Sequence, residues 1–409
     1  MRNYWQLGAL WLALLACGCA SRQRCAESCC EGPVLLDCEV VSRQAIVPDV
    51  SAVAPRSTIT FADRQYYNLP EADAQCLAAT HSVLANLLEQ ESEVLAAQPK
   101  CLHCSRNSQQ CLQRVLSLQA AHERNRTAAA ALQIFLRLAE AEAGSDNLRL
   151  RLQEVDHLLS DVQRLQAAGV ESALSRPAVE AQRLELVHKQ IDLQATIEEL
   201  NQQLVPLIGA EPPPESRLWP AAELKVETTV PSVDTAQSIA LQQRADLSAA
   251  RTAADCDLDS MRALLGQISP GLGSAPPGCK VLLMLHLLAT HREGNLRSGQ
   301  LQAAADEQER TIRHDVARAV TTIEARLAQI GLSRQRLDAL QRQVERLQQK
   351  RQVDAKAYFE ARQAKLEVLA ADQDLLHDVI EWKIAVVKLR ELQGELGLEC
   401  GFSAAIDCE

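Results

Sequence analysis

Apolar residues recur at alternating three- and four-residue spacing through four long segments of this chain. Such spacing places apolar side chains on one face of an α-helix and is typical of helices that pack lengthwise. The stripes of the first pair of segments are Leu148, Leu152, Val155, Val162 and Leu165, then Val179, Leu184, Val187 and Ile191. Those of the second pair are Val316, Val320, Ile323, Leu327, Ile330, Leu337 and Val344, then Leu366, Leu369, Leu376, Ile380, Ile384, Val387 and Leu392. The pattern predicts four long helices.

The breaks between the stripes group these helices into two hairpins. Gly169 interrupts the first pair and Pro177 opens its second helix, which is typical of an antiparallel hairpin turn. The second pair is predicted as one helix over residues 301–351 and another over residues 358–396. The predicted fold class is therefore mainly α, with two repeats of long antiparallel helical hairpins and little or no β-barrel portion.

Shorter elements precede each hairpin. Residues 69–97 and 236–265 are predicted as helices, and the alternation around residues 224–230 predicts one short strand. Gly144 is predicted to separate two helices before the first turn.

Composition supports the helical interpretation and excludes other classes. Only 3% of the 409 residues are aromatic, and an all-β sandwich or barrel needs more aromatic and β-branched residues. The apolar fraction of 47% excludes a disordered chain. The formal net charge of −11 argues against a nucleic-acid binder, so no nucleic-acid partner is predicted.

The first residues have the form of an export signal. Arg2 precedes a short apolar run that ends in Leu-Leu-Ala-Cys17, which resembles the bacterial lipobox. Residues 1–16 are thus predicted to be a lipoprotein signal peptide and Cys17 the lipidated residue. Cys19 is a second candidate, and an ordinary signal peptide or a retained anchor helix is the alternative. Gly18, with no Asp at that position, is compatible with sorting to the outer membrane.

The fourteen cysteines favour an oxidising compartment. Cys101, His103, Cys104 and Cys111 could hold a metal or form a redox site, since thiolates and imidazole bind zinc. No second C-x-x-C or His pair completes a four-ligand set. Disulfides are therefore the favoured interpretation, their connectivity is open, and no cofactor is predicted.

These observations divide the chain into six segments. They are a signal peptide (1–16), a Cys-rich tether (17–65), a first helical repeat (66–210), a Pro-rich linker with a short strand (211–235), a second helical repeat (236–398) and a C-terminal tail (399–409).

Across both repeats the chain resembles the TolC-like outer-membrane efflux protein family. Residues 67–77 (YNLPEADAQCL) are similar to the family's opening helix, and residues 200–209 (LNQQLVPLIG) to its L-N-x-L-L-G close of the first hairpin. Residues 240–250 (ALQQRADLSAA) are similar to the start of the second repeat, with Ala245 in place of a proline. Residues 164–172 (RLQAAGVES) are similar to a hairpin tip that meets an adaptor.

The resemblance implies a homotrimer whose long hairpins form a periplasmic tunnel. It implies docking of a periplasmic adaptor protein at Arg164, Gly169 and Ser172, an inner-membrane pump as energy source, and attachment to the bacterial outer membrane through the lipid anchor. It also implies that no residue performs chemistry, so the chain is not expected to be an enzyme.

Two segments depart from the family pattern. Residues 98–110 and 269–293 occupy the places of the barrel strands, and each should hold two membrane strands of about 9–11 residues. The first is too short and polar, the second has one continuous apolar run, and neither contains Phe, Tyr or Trp. A normal barrel is therefore not expected. The functional hypotheses are an efflux or export duct, a lipid-anchored periplasmic coiled-coil scaffold without a pore, and the metal or redox protein described above.

Overall fold

The computed structural model describes residues 66–97, 106–169, 174–211, 216–256, 294–350 and 355–402. Its elements are, in chain order, β1 (Tyr66–Pro70), α1 (Glu71–Thr80), α2 (Val83–Ala97), α3 (Arg106–Ala167), α4 (Arg176–Ile208), β2 (Arg217–Ala221), α5 (Val233–Gln243), α6 (Ala245–Asp255), α7 (Gly294–Lys350), α8 (Ala355–Gln393) and α9 (Glu395–Glu399).

The same succession of elements occurs twice. Among the described residues, a five-residue strand, two short helices and two long helices follow one another first as β1 to α4 and then as β2 to α8. The two strands pair in parallel, with Tyr66 opposite Arg217 and Pro70 opposite Ala221. This pairing brings the beginnings of the two repeats together.

α3 is the central helix of the molecule. It contacts α1, α2, α4, α6, α8 and α9. Because neighbours cover it on several sides, its middle section buries alanines that permit close helix approach, among them Ala120, Ala128, Ala131 and Ala139. Phe135 is fully buried in the same section.

The four long helices form an array in the order α4–α3–α8–α7. α3 contacts α4 and α8, and α8 contacts α7. The stripe predicted on α7 is confirmed, since Val316, Val320, Ile323, Ile330 and Leu337 are all buried. In the other half of the molecule, α2 contacts α3, α3 contacts α6 and α6 contacts α7.

Several predicted boundaries were wrong. α3 continues without a break through Gly144, where Gln373 and Leu193 pack against the helix. The strand is β2 rather than residues 224–230, and the helix predicted from residue 236 is two helices separated at Arg244.

The stripe predicted on α4 was wrong in part. Val179 is buried as expected, but the buried face continues through Leu186, Ile197 and Leu204. Leu184 and Ile191 are each 65% exposed.

The mainly α fold class is confirmed. β1 and β2 are the only strands among the described residues. The two segments that depart from the family pattern lie largely outside those residues.

Candidate functional site: hairpin tips, open edges and cysteines

The first hairpin turns at the residues predicted to dock an adaptor. Gly169 follows α3 with a φ of 71°, the left-handed conformation that glycine adopts without a steric cost. Arg164 lies on the last turn of α3 with its side chain 74% exposed, 3.2 Å from Asp161 Oδ1. The structure thus places Arg164 and Gly169 within two turns of each other at an exposed tip. Ser172 lies outside the described residues.

A hydrogen-bonded clasp joins the tip end of α3 to the start of α8. Tyr358 Oη donates to Asp161 Oδ2 at 2.6 Å, and Arg362 Nη1 donates to Glu154 Oε2 at 2.8 Å. Arg362 Nη2 also donates to Tyr358 Oη at 3.1 Å, and Lys365 pairs with Glu154. These five residues form the tip clasp, which holds the second hairpin against the first.

Glu154 is the most buried member of the tip clasp. Its burial alone would raise its pKa, but the hydrogen bonds from Lys365 and Arg362 outweigh this effect and lower the pKa below the ordinary value. The carboxylate therefore stays charged at neutral pH, and the clasp persists there.

Sequence analysis missed the tip clasp because its partners are about 200 residues apart in the chain. One signal was available. Tyr358 and Phe359 form an edge-to-face pair at the start of α8, in a chain with few aromatic residues.

A second polar network crosses three helices of the array. His377 Nδ1 on α8 lies 2.6 Å from Glu140 Oε1 on α3, and Arg137 donates to Glu140 Oε2 at 3.0 Å. Arg137 also pairs with Glu381, which accepts a hydrogen bond from Arg326 of α7 at 3.0 Å. The network links α3, α8 and α7 at one level.

The repeat junction contains a buried carboxylate. Asp246, at the start of α6, accepts from Arg244 Nη2 at 2.6 Å and from Gln308 Nε2 at 2.7 Å, and His122 of α3 lies 3.8 Å away. Burial opposes the charge of Asp246, but the hydrogen bond from Arg244 and the nearby charges prevail and lower its pKa to about 2. Both hydrogen-bond donors belong to the second repeat, so the charge is an internal structural contact of that repeat, with His122 of the first repeat nearby.

Among the described residues, two disulfides link the first repeat to later parts of the chain, one to the second repeat and one to the C-terminal tail. Cys111 of α3 pairs with Cys256 after α6, with Cα atoms 6.2 Å apart, and Cys76 of α1 pairs with Cys400 after α9, with Cα atoms 5.2 Å apart. The sulfur of Cys111 is bonded to Cys256 and so does not serve as a metal ligand in this structure. Cys17, Cys101, His103 and Cys104 lie outside the described residues.

In the described part of the chain, no group of three or more His, Cys, Asp or Glu side chains is arranged to hold a metal ion. None of the described helices combines the length and the apolar character needed to cross a membrane.

Both edges of the helical array expose apolar side chains that no described element covers. At one edge, Leu184 and Ile191 project from α4, and Val83, Leu87 and Val94 project from α2, all between 49% and 74% exposed. At the opposite edge, Leu332 of α7 is 66% exposed. Single exposed apolar residues are ordinary, but rows of them along helix edges mark interaction surfaces.

Two repeated helical hairpins joined in an open array are characteristic of a known fold. The chain has the TolC-like outer-membrane-factor fold. No protein-family model matches its sequence, and no curated protein does.

Several solved structures, by contrast, are similar to this chain. The outer membrane channel CmeC of Campylobacter jejuni is similar at a TM-score of 0.58 and 12% identity, over 82% of this chain and 87% of that one. The MtrE outer membrane channel of Neisseria gonorrhoeae, in its open state, has a TM-score of 0.50 and 13% identity, over 80% and 89% of the two chains. The outer-membrane channel OprN has a TM-score of 0.52 and 15% identity, over 71% and 70%. These neighbours are channels and not enzymes.

Proposed function

We propose that this chain is the outer-membrane lipoprotein component of a tripartite efflux or export system and forms its periplasmic helical tunnel. In this proposal Cys17 carries the lipid anchor and residues 17–65 tether the body to the membrane. The helical repeats over residues 66–210 and 236–398 build the tunnel wall. No residue acts as a catalyst.

The open helical array carries this proposal. Among the described residues, no element covers α2 and α4 at one edge or α7 at the other; large apolar side chains are exposed on α2 and α4, and Leu332 is exposed on α7. Since the two edges differ, the contact between copies is heterologous, and a heterologous contact closes into a ring when the rotation permits. A closed ring encloses a conduit.

The proposed number of copies and the proposed partners rest on the similarity to TolC-like outer-membrane factors. TolC-like outer-membrane factors are trimers that work with an adaptor and an inner-membrane pump, so a homotrimer with these partners is the proposed assembly. The exposed tip with Arg164, Gly169 and Ser172 is the proposed adaptor contact. The pump supplies the transport energy.

A disruption of one edge tests the tunnel. The variant Leu184→Glu/Ile191→Glu places two charges in the proposed contact, and Gln153→Glu/Gln163→Glu places the same charges on the exposed side of α3. We expect the wild type and the α3 control to sediment as trimers in mild detergent. The edge variant should remain helical but sediment as a monomer.

Two results distinguish the hypotheses. A wild type that stays monomeric at micromolar concentration overturns the tunnel, and discrete channels in a planar bilayer recording would exclude the lipid-anchored scaffold. Mass spectrometry of the mature N-terminus tests Cys17 separately, because the proposal requires a lipidated cysteine there.

A further inference from the structure

α6 joins the two repeats at the end of the molecule that is remote from the hairpin tips. Among the described elements of this half, α2 contacts α3 within the first repeat, α6 contacts α7 within the second, and α3 contacts α6 between the two repeats. The contact between α3 and α6 is therefore the described link that holds the repeats together at this end.

The non-covalent interactions between α3 and α6 are modest. His122 Nδ1 of α3 lies 3.8 Å from Asp246 Oδ1 of α6, which is too far for a hydrogen bond. One turn further from the tips, Leu118 packs with Ala245 and Ala249 in a small apolar cluster. Alanine removes less apolar surface from water than a larger side chain does, so this packing contributes little to stability.

α6 depends on its neighbours for its own stability. It has 11 residues, and an isolated helix of that length is marginal in water. Leu247 reaches the central core, but the other apolar residues that α6 buries are alanines, namely Ala245, Ala249, Ala250, Ala253 and Ala254. The end of α6 that is remote from the tips therefore requires a further attachment.

The Cys111–Cys256 disulfide lies at that remote end. Cys111 is about two helical turns beyond Leu118 on α3, and Cys256 directly follows α6. The carbonyl oxygen of Thr252 lies 3.6 Å from the sulfur of Cys111 and 3.0 Å from that of Cys256. The covalent bond thus closes the contact between the repeats where apolar packing is weak.

Polar contacts attach α6 to α7. Arg251 Nη2 donates to Glu309 Oε2 at 2.6 Å, and Gln308 Nε2 donates to Asp246 Oδ2 at 2.7 Å. Both contacts lie within the second repeat and do not involve α3. Loss of the disulfide would therefore leave α6 on α7 and open the boundary between α6 and α3.

The other disulfide, Cys76–Cys400, is supported by hydrogen bonds at the same junction. Gln75 Nε2 of α1 donates to the carbonyl oxygen of Leu396 at 2.8 Å, and Asn125 Oδ1 of α3 accepts from Leu396 N at 3.0 Å. Because both hydrogen bonds are buried, α9 stays attached to α1 and α3 without the covalent bond. Cys76–Cys400 is therefore a matched control for Cys111–Cys256.

We propose that Cys111–Cys256 is a redox switch of the boundary between the repeats. The oxidised pair holds α3 against α6, and the reduced pair lets the two helices separate at the end remote from the tips. The inference goes beyond the proposed tunnel and does not depend on it, since it concerns a contact within one copy of the chain.

The switch operates by thiol–disulfide exchange with a dithiol reductant. Cys111 is only partly buried, whereas Cys256 is 7% exposed, so the incoming thiolate attacks the sulfur of Cys111. Cys256 leaves as a thiolate and takes up a proton. The second thiol of the reductant then attacks the mixed disulfide and releases Cys111, so that two electrons pass to the protein and the reductant becomes a disulfide.

Hydrogen exchange of the full-length lipoprotein in detergent, with and without dithiothreitol, tests the inference. Reduction of the folded wild type should raise exchange about tenfold or more in α6 and in residues 111–122 of α3, and leave the tip clasp unchanged. Cys76→Ala/Cys400→Ala should respond to the reductant as the wild type does. Cys111→Ala/Cys256→Ala should exchange rapidly in α6 before the reductant is added and show no further increase.

Reduction of the folded wild type keeps the test valid even if the variant without Cys111 and Cys256 does not fold. Unchanged exchange in α6 on reduction overturns the switch. An increase that extends to the tip clasp also overturns it, since the bond would then stabilise the whole fold, as does rapid exchange of α6 in unreduced Cys76→Ala/Cys400→Ala. The measurement requires no association of copies, so a monomeric wild type would overturn the tunnel and leave this inference intact.

Discussion

Asp246 is charged although it is almost enclosed by protein. Its side chain is 11% exposed, and its carboxylate accepts hydrogen bonds from Arg244, between α5 and α6, and from Gln308 of α7. Such a group stabilises the fold only while its partners are present, because an unpaired buried charge is costly.

We expect Asp246→Asn to lower the free energy of unfolding by about 3 kcal/mol, since the Arg244 guanidinium loses its counter-ion. Asp156→Asn, which removes an exposed partner of Arg183, is the control and should cost less than about 1 kcal/mol. Urea unfolding at neutral pH measures both values, and equal losses would contradict the buried role.

The pH dependence of Asp246 has a definite sign. Its pKa in the folded chain, about 2, is below its ordinary value of 3.8, so the carboxylate contributes stability above about pH 4. This contribution is lost as the pH falls through 2. The stability difference between the wild type and Asp246→Asn should therefore shrink between those values, and a difference that grows on acidification would refute the assignment.

A comparison of Gly209 with Gly169 distinguishes the cost of a strained backbone from the cost of steric crowding. Both have positive φ, 63° at the end of α4 and 71° at the hairpin tip. A Cβ on Gly209 would overlap the His81 ring, whereas one on Gly169 would meet no atom within 4 Å.

Alanine at either glycine should cost about 1–2 kcal/mol for the left-handed backbone. Gly209→Ala should cost about 1–3 kcal/mol more because of overpacking. The excess should fall when His81→Ala is added, as measured by chemical unfolding. Equal costs at the two glycines would show that His81 does not constrain the helix end.

At the scale of elements, the tip clasp connects the two hairpins. Tyr358→Phe removes one donor and Arg362→Gln removes another, so each should raise hydrogen exchange in the first turns of α8 by an amount equivalent to about 1 kcal/mol. The double variant should deviate from the sum because Arg362 also donates to Tyr358. Arg336→Gln breaks an exposed α7–α8 ion pair and should change little there. Unchanged exchange in the double variant would contradict the clasp.

Elements with a strong local period could be predicted from sequence. The buried stripe of α7 followed from its spacing because one face alone carries large apolar residues. α4 has two stripes on opposite faces, so Leu184 and Ile191 were assigned to the buried one. Period alone does not distinguish a face that packs within the chain from one that packs outside it.

Elements that depend on distant partners could not be predicted. β2 contains Pro220, which argues against a strand, but its pairing with β1 tolerates the proline because the sheet has only two strands, and both are edges. Gly144 is predicted to end a helix, because glycine inside a helix costs about 1 kcal/mol relative to alanine. In the structure α3 continues through Gly144, and Gln373 and Leu193 pack beside it. The disulfide partners are 145 and 324 residues apart and have no local signal.

At the scale of the whole molecule, the exposed apolar edges and the net charge of the chain have opposite effects on the association of copies. The exposed apolar edges favour contact between copies, while each copy has a formal net charge of −11, which opposes it. The resulting ring should be held by apolar packing and limited by long-range repulsion.

The dependence of association on ionic strength distinguishes apolar packing from charge repulsion. Raising the ionic strength from about 0.1 M to about 1 M shortens the Debye length from about 10 Å to about 3 Å. Repulsion between copies is then screened, while packing of Leu184, Ile191 and Leu332 is not weakened. We expect association of the wild type, measured by sedimentation at constant neutral pH, to strengthen over this range. A ring held mainly by ion pairs between copies would dissociate instead. That result would show that charged side chains, and not the apolar edges, stabilise the assembly.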